Sequence, residues 1–402
     1  MRRRRGGARL TSRRLARNVP LLLAARLLFW THFVSAILVP FFRDWGGLDL
    51  GQILLLNAWF MFWNCVLEVP TGAVADRFGR RVSLRLGLAL GALATLVFVT
   101  APHLAAFLLA EVVMALSYTL ISGADEALLY DSLVATGRAS EAKRMIARLE
   151  SVKLLGLVLG ALGGAALTHW LPLRGIVALQ AVPMACAALV ALGLAEAPSA
   201  ERAEERPSLV RVAREGVGLV LGHPALRRLA LDMVSVGALS FLVIWLYQPL
   251  LEQAGIAIAW FGPVHVALAL GQIAVLQGAD RLEDLLGSRG RVLAACALAA
   301  GLAWIALGFA RSPFSVAPLV VVVASFGLAR GALFGASLHR HIPSERRATA
   351  LSGISMLRTL AILLANGVAG LGVRASLSAT ALGVGVLVVA LALGARARAE
   401  DL

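Results

Sequence analysis

Residues 68–81 read EVPTGAVADRFGRR. An apolar run from Gly51 to Leu67 precedes them, and a second begins at Val82. One Glu, one Pro, one Asp and three Arg are thus set between two segments that suit hydrocarbon. The stretch reads as a short polar loop joining two membrane-crossing helices.

The rest of the 402 residues has the same texture. Hydrophobic side chains make up 59% and charged ones 15%, against about 25% charged in a soluble domain. Many apolar blocks reach the roughly 20 residues that cross a bilayer. The net charge of +15 does not point to nucleic acid, because the basic residues are sorted by position. Thirty of the 38 Lys and Arg fall in the tail and loops of one side. Arg43, Arg174, Arg311 and Arg374 fall on the other, and Arg26, Lys153, Arg330 and Arg358 lie inside apolar spans. That bias orients the chain with its Arg-rich side in the cytoplasm. No basic soluble segment is left to hold DNA or RNA. Cys65, Cys186 and Cys296 all lie in apolar spans and form neither a metal spacing nor a disulfide framework. The apolar run behind the Arg-rich N-terminus lacks a small-residue cleavage site, so it reads as a retained first span.

Apolar runs and their breakers predict an all-α membrane protein of twelve helices. They cover about 19–42, 50–75, 82–101, 104–128, 147–168 and 172–194, then 224–251, 258–279, 290–310, 313–338, 348–372 and 375–395. Lipid offers backbone groups no water, so each span must satisfy its own hydrogen bonds as a helix. The expected organisation is a basic tail at 1–18, a six-helix bundle at 19–194, a linker at 195–223, a second bundle at 224–395 and a tail at 396–402. Both tails are expected in the cytoplasm. The linker opens as EAPSAERAEERPS and continues as LVRVAREGVGLVLG, in which Leu209, Val212, Val217 and Val220 form one face of a short interfacial helix. The halves echo each other. GAVADRFGRRVSL (72–84) matches GADRLEDLLGSRGRVL (278–293), and RASEAKRMIARLESVK (138–153) matches IPSERRATALSGISMLR (342–358). In the second pair, Ser-Glu and basic residues lead into a helix with a cation about three turns on, Lys153 or Arg358. Parallel six-helix repeats are an architecture of secondary transporters.

In the loop itself, Pro70 and Gly72 are expected to end the second helix and turn the chain. Gly79 is expected to permit a close helix approach, and Asp76 to face the positive N-terminal end of another helix. The run Gly72-Ala73-Val74-Ala75-Asp76-Arg77-Phe78-Gly79-Arg80-Arg81 resembles the signature loop of the major facilitator superfamily, with Val74 where that pattern has Leu. The resemblance implies that Asp76 faces the eleventh helix, which starts near Ala348. It also implies that Arg80 pairs with an acid at the cytoplasmic end of the fourth helix, Asp131 first and Glu126 second. Such pairs would latch the two halves on the cytoplasmic side; a plain positive-inside loop is the alternative.

Charges inside spans are costly and mark function. Arg26 and Trp30 on the first helix, Asn57 and Asn64 on the second, Tyr118 on the fourth, Gln272 on the eighth, and Arg358 and Asn366 on the eleventh are candidate substrate contacts. The resemblance places those helices around a central cavity. For Arg26 and Arg358 the alternative is a structural pair with Glu68 or Glu111. Lys153 and Arg330 read as cytoplasmic gate residues, with Glu150, Asp125 and Glu126 as possible partners. His32 and His265 are weaker candidates that neighbouring backbone carbonyls would satisfy. Trp245, Tyr247 and Gln248 read as packing or interface groups. Glu111, then Asp125 and Asp232, are the candidate proton-coupling acids.

GLVLGALGG (156–164) has the glycines of the exporters' fifth-helix motif, but Ala161 stands where that motif has Pro and the last Gly pair comes one residue early. The expected function is alternating-access transport of a small organic solute in the cell membrane, proton-coupled and leaning to efflux. Uptake, or a transport-inactive sensor or scaffold on the same fold, are the alternatives. The four intramembrane cations hint at an anionic or zwitterionic solute. No GxxxxGK[ST] loop supports ATP drive, no nucleophile–base or metal set suggests an enzyme, and neither cofactor nor metal is expected. A monomer is expected.

Overall fold

A computed structural model describes residues 2–198, 209–342 and 346–394, and leaves aside the side chains at 2–12, 69, 209–213, 336, 339, 347 and 348. No strand occurs among the described residues. The helices are α1 (Arg2–Trp30), α2 (Leu50–Phe78), α3 (Arg80–Phe98), α4 (Leu104–Ile121), α5 (Ala124–Ala135), α6 (Ala142–Leu167), α7 (Leu173–Leu179) and α8 (Ala181–Leu192). They continue as α9 (Leu209–Gly222), α10 (Pro224–Phe241), α11 (Val243–Gln253), α12 (Phe261–Gln277), α13 (Ala279–Leu286), α14 (Arg289–Phe309), α15 (Pro313–His341), α16 (Arg347–Ala375) and α17 (Leu377–Leu393). Ten helical segments among the described residues are long and apolar enough to cross a membrane, and Leu377–Leu393 is a shorter apolar helix. The chain forms two compact units. The first comprises residues 1–41 and 63–206, the second 42–62 and 207–402.

The first unit interrupts its helices where continuous spans were expected, sharply after Trp30 and at Gly123 and more mildly at Gln180 between α7 and α8. The expected span 19–42 stops being an α-helix at Trp30 and continues through a 3-10 turn, Phe33–Ala36, and a wide turn, Phe41–Trp45. Unwinding frees backbone groups that hydrocarbon cannot solvate. One side chain takes up two of them. The buried Gln180 accepts the Phe33 N–H at 2.6 Å and donates to the Thr31 carbonyl at 3.0 Å. The glycines of 156–164 let α6 approach the break: a Cβ on Gly160 would lie 2.6 Å from the His32 carbonyl, and one on Gly164 would collide with the Phe33 carbonyl.

The second break interrupts the expected span 104–128. Gly123 adopts φ +71°, and a new helix, α5, begins at Ala124. That conformation is easy for Gly and strained for other residues. Asp125 and Glu126 therefore occupy a helix's first turn, where its dipole favours negative charge.

The polar linker ends in α9. It packs on α16 through two glycines: a Cβ on Gly353 would lie 2.6 Å from the Gly216 carbonyl, and one on Gly216 would strike that of Thr349. Val220 joins the apolar core of the second unit with Leu226, Leu229, Phe334 and Ile354. Leu209 and Val212 have side chains outside the described residues.

Replacing Gln180 by Leu strands the Phe33 amide and the Thr31 carbonyl in an apolar setting. Each buried unpaired group costs about 1–3 kcal/mol. The thermal unfolding midpoint of Gln180→Leu in detergent is expected to fall by several degrees, whereas Thr100→Ala, on an exposed loop, leaves it within a degree or so.

Candidate functional site

The signature loop is tighter than its sequence suggests. Helix α2 does not end at Pro70 or Gly72 but runs through both to Phe78. A transmembrane helix tolerates Pro when neighbours re-satisfy the freed carbonyl. The chain turns at Gly79 alone, with φ +94° and ψ 152°, a conformation almost confined to Gly. The Arg80 guanidinium donates to the Ala127 carbonyl at 2.8 Å and forms an ion pair with Asp131. Glu126 is not its partner. Arg77 lies 5.6 Å from the Phe78 ring, and Gly72 sits within the helix. Asp76 is exposed on the last turn of α2. The Arg347 and Ala348 side chains that it was expected to approach lie outside the described residues.

Sequence reading overlooked two residues that hold the start of α3 against the end of α8. Glu196 accepts the backbone N–H groups of Arg80 and Arg81, each at 3.0 Å, and so caps the start of α3. A Cβ on Gly79 would stand 2.7 Å from that carboxylate, which is a close-approach reason for glycine. Arg85 does the converse at the end of α8, donating to the carbonyls of Ala191, Leu192 and Leu194 at 3.0, 2.6 and 2.9 Å. Glu196 had read as one more charge of the linker. Its place directly behind an apolar helix was the available signal.

Deeper in the first unit, the Arg26 side chain is 10% exposed and pairs with both Asp125 and Glu150. Neither Glu68 nor Glu111 is its partner. Lys153 takes the other Glu150 oxygen at 3.3 Å, and its ammonium lies 4.7 Å from the Trp30 ring. Trp30 stacks on His32 at 5.2 Å and meets the Tyr118 edge at 5.4 Å. Two cations, two paired acids and an aromatic cluster thus form one body. A cavity of about 20 Å³ beside Arg26, lined by Trp30, Leu84, Leu88, Ile121 and Asp125, holds no more than a water-sized guest. Glu111 is buried in α4 with no ion-pair or hydrogen-bond partner among the described residues.

In the second unit, the wholly buried Arg330 pairs with Asp232 at 3.0 Å, donates to the Leu293 carbonyl at 3.0 Å and lies 5.2 Å from the Phe334 ring. Its partner is therefore not Glu150, Asp125 or Glu126. Asn366 donates to Asn57 at 3.0 Å and to the Ile362 carbonyl at 2.9 Å. Gln272 bonds its own helix at Leu268, 3.3 Å away, and Asn64 is half-buried. His265 meets the Tyr247 hydroxyl at 3.1 Å rather than a backbone carbonyl, and Gln248 donates to that same hydroxyl. Arg358 is exposed and has no ion-pair or hydrogen-bond partner among the described residues.

One stripe of α16 changes character along its length. Leu351, Ser355 and Arg358 are exposed; Ile362, Asn366, Ala369 and Val373, at helical spacing on the same face, are buried. Residues 42–62 cover that buried half. Asn57 bonds Asn366, and a Cβ on Gly51 would stand 2.6 Å from the Arg374 side chain. Nearby, Arg43 pairs with Glu252, which raises the Arg43 pKa above its ordinary value.

The sequence matches the Major Facilitator Superfamily over residues 21–366. The chain belongs to that superfamily. Among solved structures, the nucleoside transporter NupG superposes with a TM-score of 0.78 at 14% identity, covering 94% of this chain and 98% of that one. The POT family transporter PepTSo gives 0.71 at 15% identity, with 94% and 96% covered. A bacterial homologue of the human lysosomal transporter Spinster, in an inward-facing and unoccupied conformation, gives 0.69 at 16%, with 97% and 96% covered. At such identities the likeness is one of fold. No curated protein matches the sequence.

Removing one partner of the Asp232–Arg330 pair leaves an uncompensated buried charge, a loss of about 3–5 kcal/mol. Asp232→Leu is expected to lower the unfolding midpoint sharply. The double variant Asp232→Leu with Arg330→Met is expected to recover most of that loss, measured by thermal unfolding of the purified chain.

Proposed function

We propose that this superfamily member is a secondary active transporter that moves a small organic solute across the cell membrane by alternating access. In this reading it has twelve spans in two six-helix bundles, 19–194 and 224–395, joined by the cytoplasmic linker 195–223, with both termini cytoplasmic. The Arg80–Asp131 pair, held by Gly79 and Glu196, is the fixed half of a cytoplasmic latch, and Asp76 is its mobile half. Arg26, Trp30, Asn57, Asn64, Tyr118, Gln272, Arg358 and Asn366 are the proposed cavity residues. Lys153, Arg330 and Glu126 serve the cytoplasmic gate. Protons supply the drive, exchanged through Glu111 with Asp125 as the second acid.

The observation that carries this reading is the divided stripe of α16. An arginine well inside an apolar helix, roughly 16 Å from its start, is tolerable where water reaches it and costly in lipid. The stripe is exposed around Arg358 and closed around Asn366, as expected for a path open to one side only. We propose export as the direction. Uptake is the second reading, favoured by Ala161 at the exporters' Pro position and by the use of Gly160 and Gly164 to seat the broken first span.

Cysteine labelling tests the cycle. In a background lacking Cys65, Cys186 and Cys296, Ser355→Cys is expected to react with an impermeant maleimide from the cytoplasmic face, while Asn366→Cys stays unreactive from that face. Equal reaction at both positions would discard the one-sided path. For coupling, Glu111→Gln in proteoliposomes is expected to abolish pH-driven accumulation while leaving solute exchange intact. Unchanged pH-driven transport would remove Glu111 from the proton path.

A further inference from the structure

The two units repeat a polar pattern in register. Asp232 follows Arg26 by 206 positions, Arg330 follows Asp125 by 205, and Arg358 follows Lys153 by 205. Each unit ties its first spanning helix to its fourth by a buried ion pair, but with the signs exchanged. Arg26 on α1 meets Asp125 on α5; Asp232 on α10 meets Arg330 on α15. The cation of the fifth spanning helix is kept in both units.

The acid beside that cation is not kept. Lys153 has Glu150 one turn before it, with the carboxylate 3.3 Å away. Ser355 stands 205 positions after Glu150. Arg358 consequently has no ion-pair or hydrogen-bond partner among the described residues, and Ser355 and Arg358 are both exposed. The first unit shows what a cation at this register position takes, which is a carboxylate. We propose that in the second unit the transported solute supplies it: Arg358, with the Ser355 hydroxyl one turn away, binds the anionic group of a small organic anion.

This inference rests on the transport reading and names the charge class of its solute. A guanidinium holds a carboxylate or phosphate through two parallel N–H donors, and a serine hydroxyl can donate to a further oxygen. The exposed guanidinium is free to take a solute anion, and the attraction between the two charges grows as the pair leaves water. An anionic lipid headgroup offers the same chemistry, and the experiment separates the two sources.

The full-length chain in an uncharged detergent is heated with benzoate, succinate or inorganic phosphate, against chloride at matched ionic strength. A second arm adds phosphatidylglycerol. At least one small anion is expected to raise the unfolding midpoint as its concentration rises. The concentration needed is expected to increase about tenfold or more in Arg358→Gln. The response is expected to vanish in Ser355→Glu, which restores the acid that the first unit carries, and that variant keeps at least the parental midpoint without ligand. Arg311→Gln, on an exposed loop, responds like the parent. The inference is overturned if no small anion acts, if Arg358→Gln responds unchanged, or if only phosphatidylglycerol stabilises. Should it fall while Ser355→Cys and Asn366→Cys label as described above, the transport reading stands without an anionic solute.

Discussion

Hydrocarbon gives a polar group nothing to bond with, so every departure from a plain apolar helix needs an internal partner. The architecture of this transporter-family chain is largely a record of those partners. Where α1 unwinds at Thr31 and His32, the Gln180 amide takes one carbonyl and one N–H. Where α3 starts, Glu196 takes its free N–H groups, and where α8 ends, Arg85 takes its free carbonyls. The two caps run in opposite directions between the same helix ends, so each charge meets the helix pole of opposite sign. Where a guanidinium enters the core, an acid follows it: Asp125 and Glu150 for Arg26, Asp232 for Arg330.

Close backbone approach is the second requirement, because a side chain can bridge a break only if helices come near. Gly160 and Gly164 bring α6 against the unwound segment. Gly216 and Gly353 do the same where α9 crosses α16. In each case an added methyl would meet backbone, which cannot rotate away as a side chain can. The glycine run of α6, read in sequence as a possible marker of transport direction, thus has a local duty in seating the first span.

Fold class was plain in the sequence because it rests on counting. Apolar runs of spanning length, the bias of basic residues and a ten-residue loop pattern each carry information locally. The breaks were not plain. Pro70 looks like a helix end and is carried through, while Ser122–Gly123 looks like ordinary helix and is a break. Both outcomes depend on neighbours that a one-dimensional reading does not contain. The same holds for pairing. Arg26 stood out as a buried cation, but its partners lie 99 and 124 positions away, and α5 must restart at Ala124 before Asp125 occupies the first turn of a helix. Glu196 and Gln180 were passed over for a related reason: a linker acid or a lone helix amide becomes notable only when the backbone group it serves is known.

The exchange of sign between the two buried pairs has a physical consequence for α6 and α16, which carry Lys153 and Arg358. As ties between helices, Arg–Asp and Asp–Arg are equivalent, since each is neutral and each bridges the same two elements. They differ in what they present to a third charge. In the first unit the partner on the first helix is a cation, so a second cation, Lys153, is tolerated nearby only with an acid between them. Glu150 fills that place, one oxygen toward Arg26 and the other toward Lys153. In the second unit the first helix carries Asp232 instead. The position that holds a cation on the first helix of the first unit holds an acid here, so the like-charge repulsion that Glu150 separates does not arise between these two positions. Where α6 carries Glu150, α16 carries Ser355, and Arg358 has no ion-pair partner among the described residues.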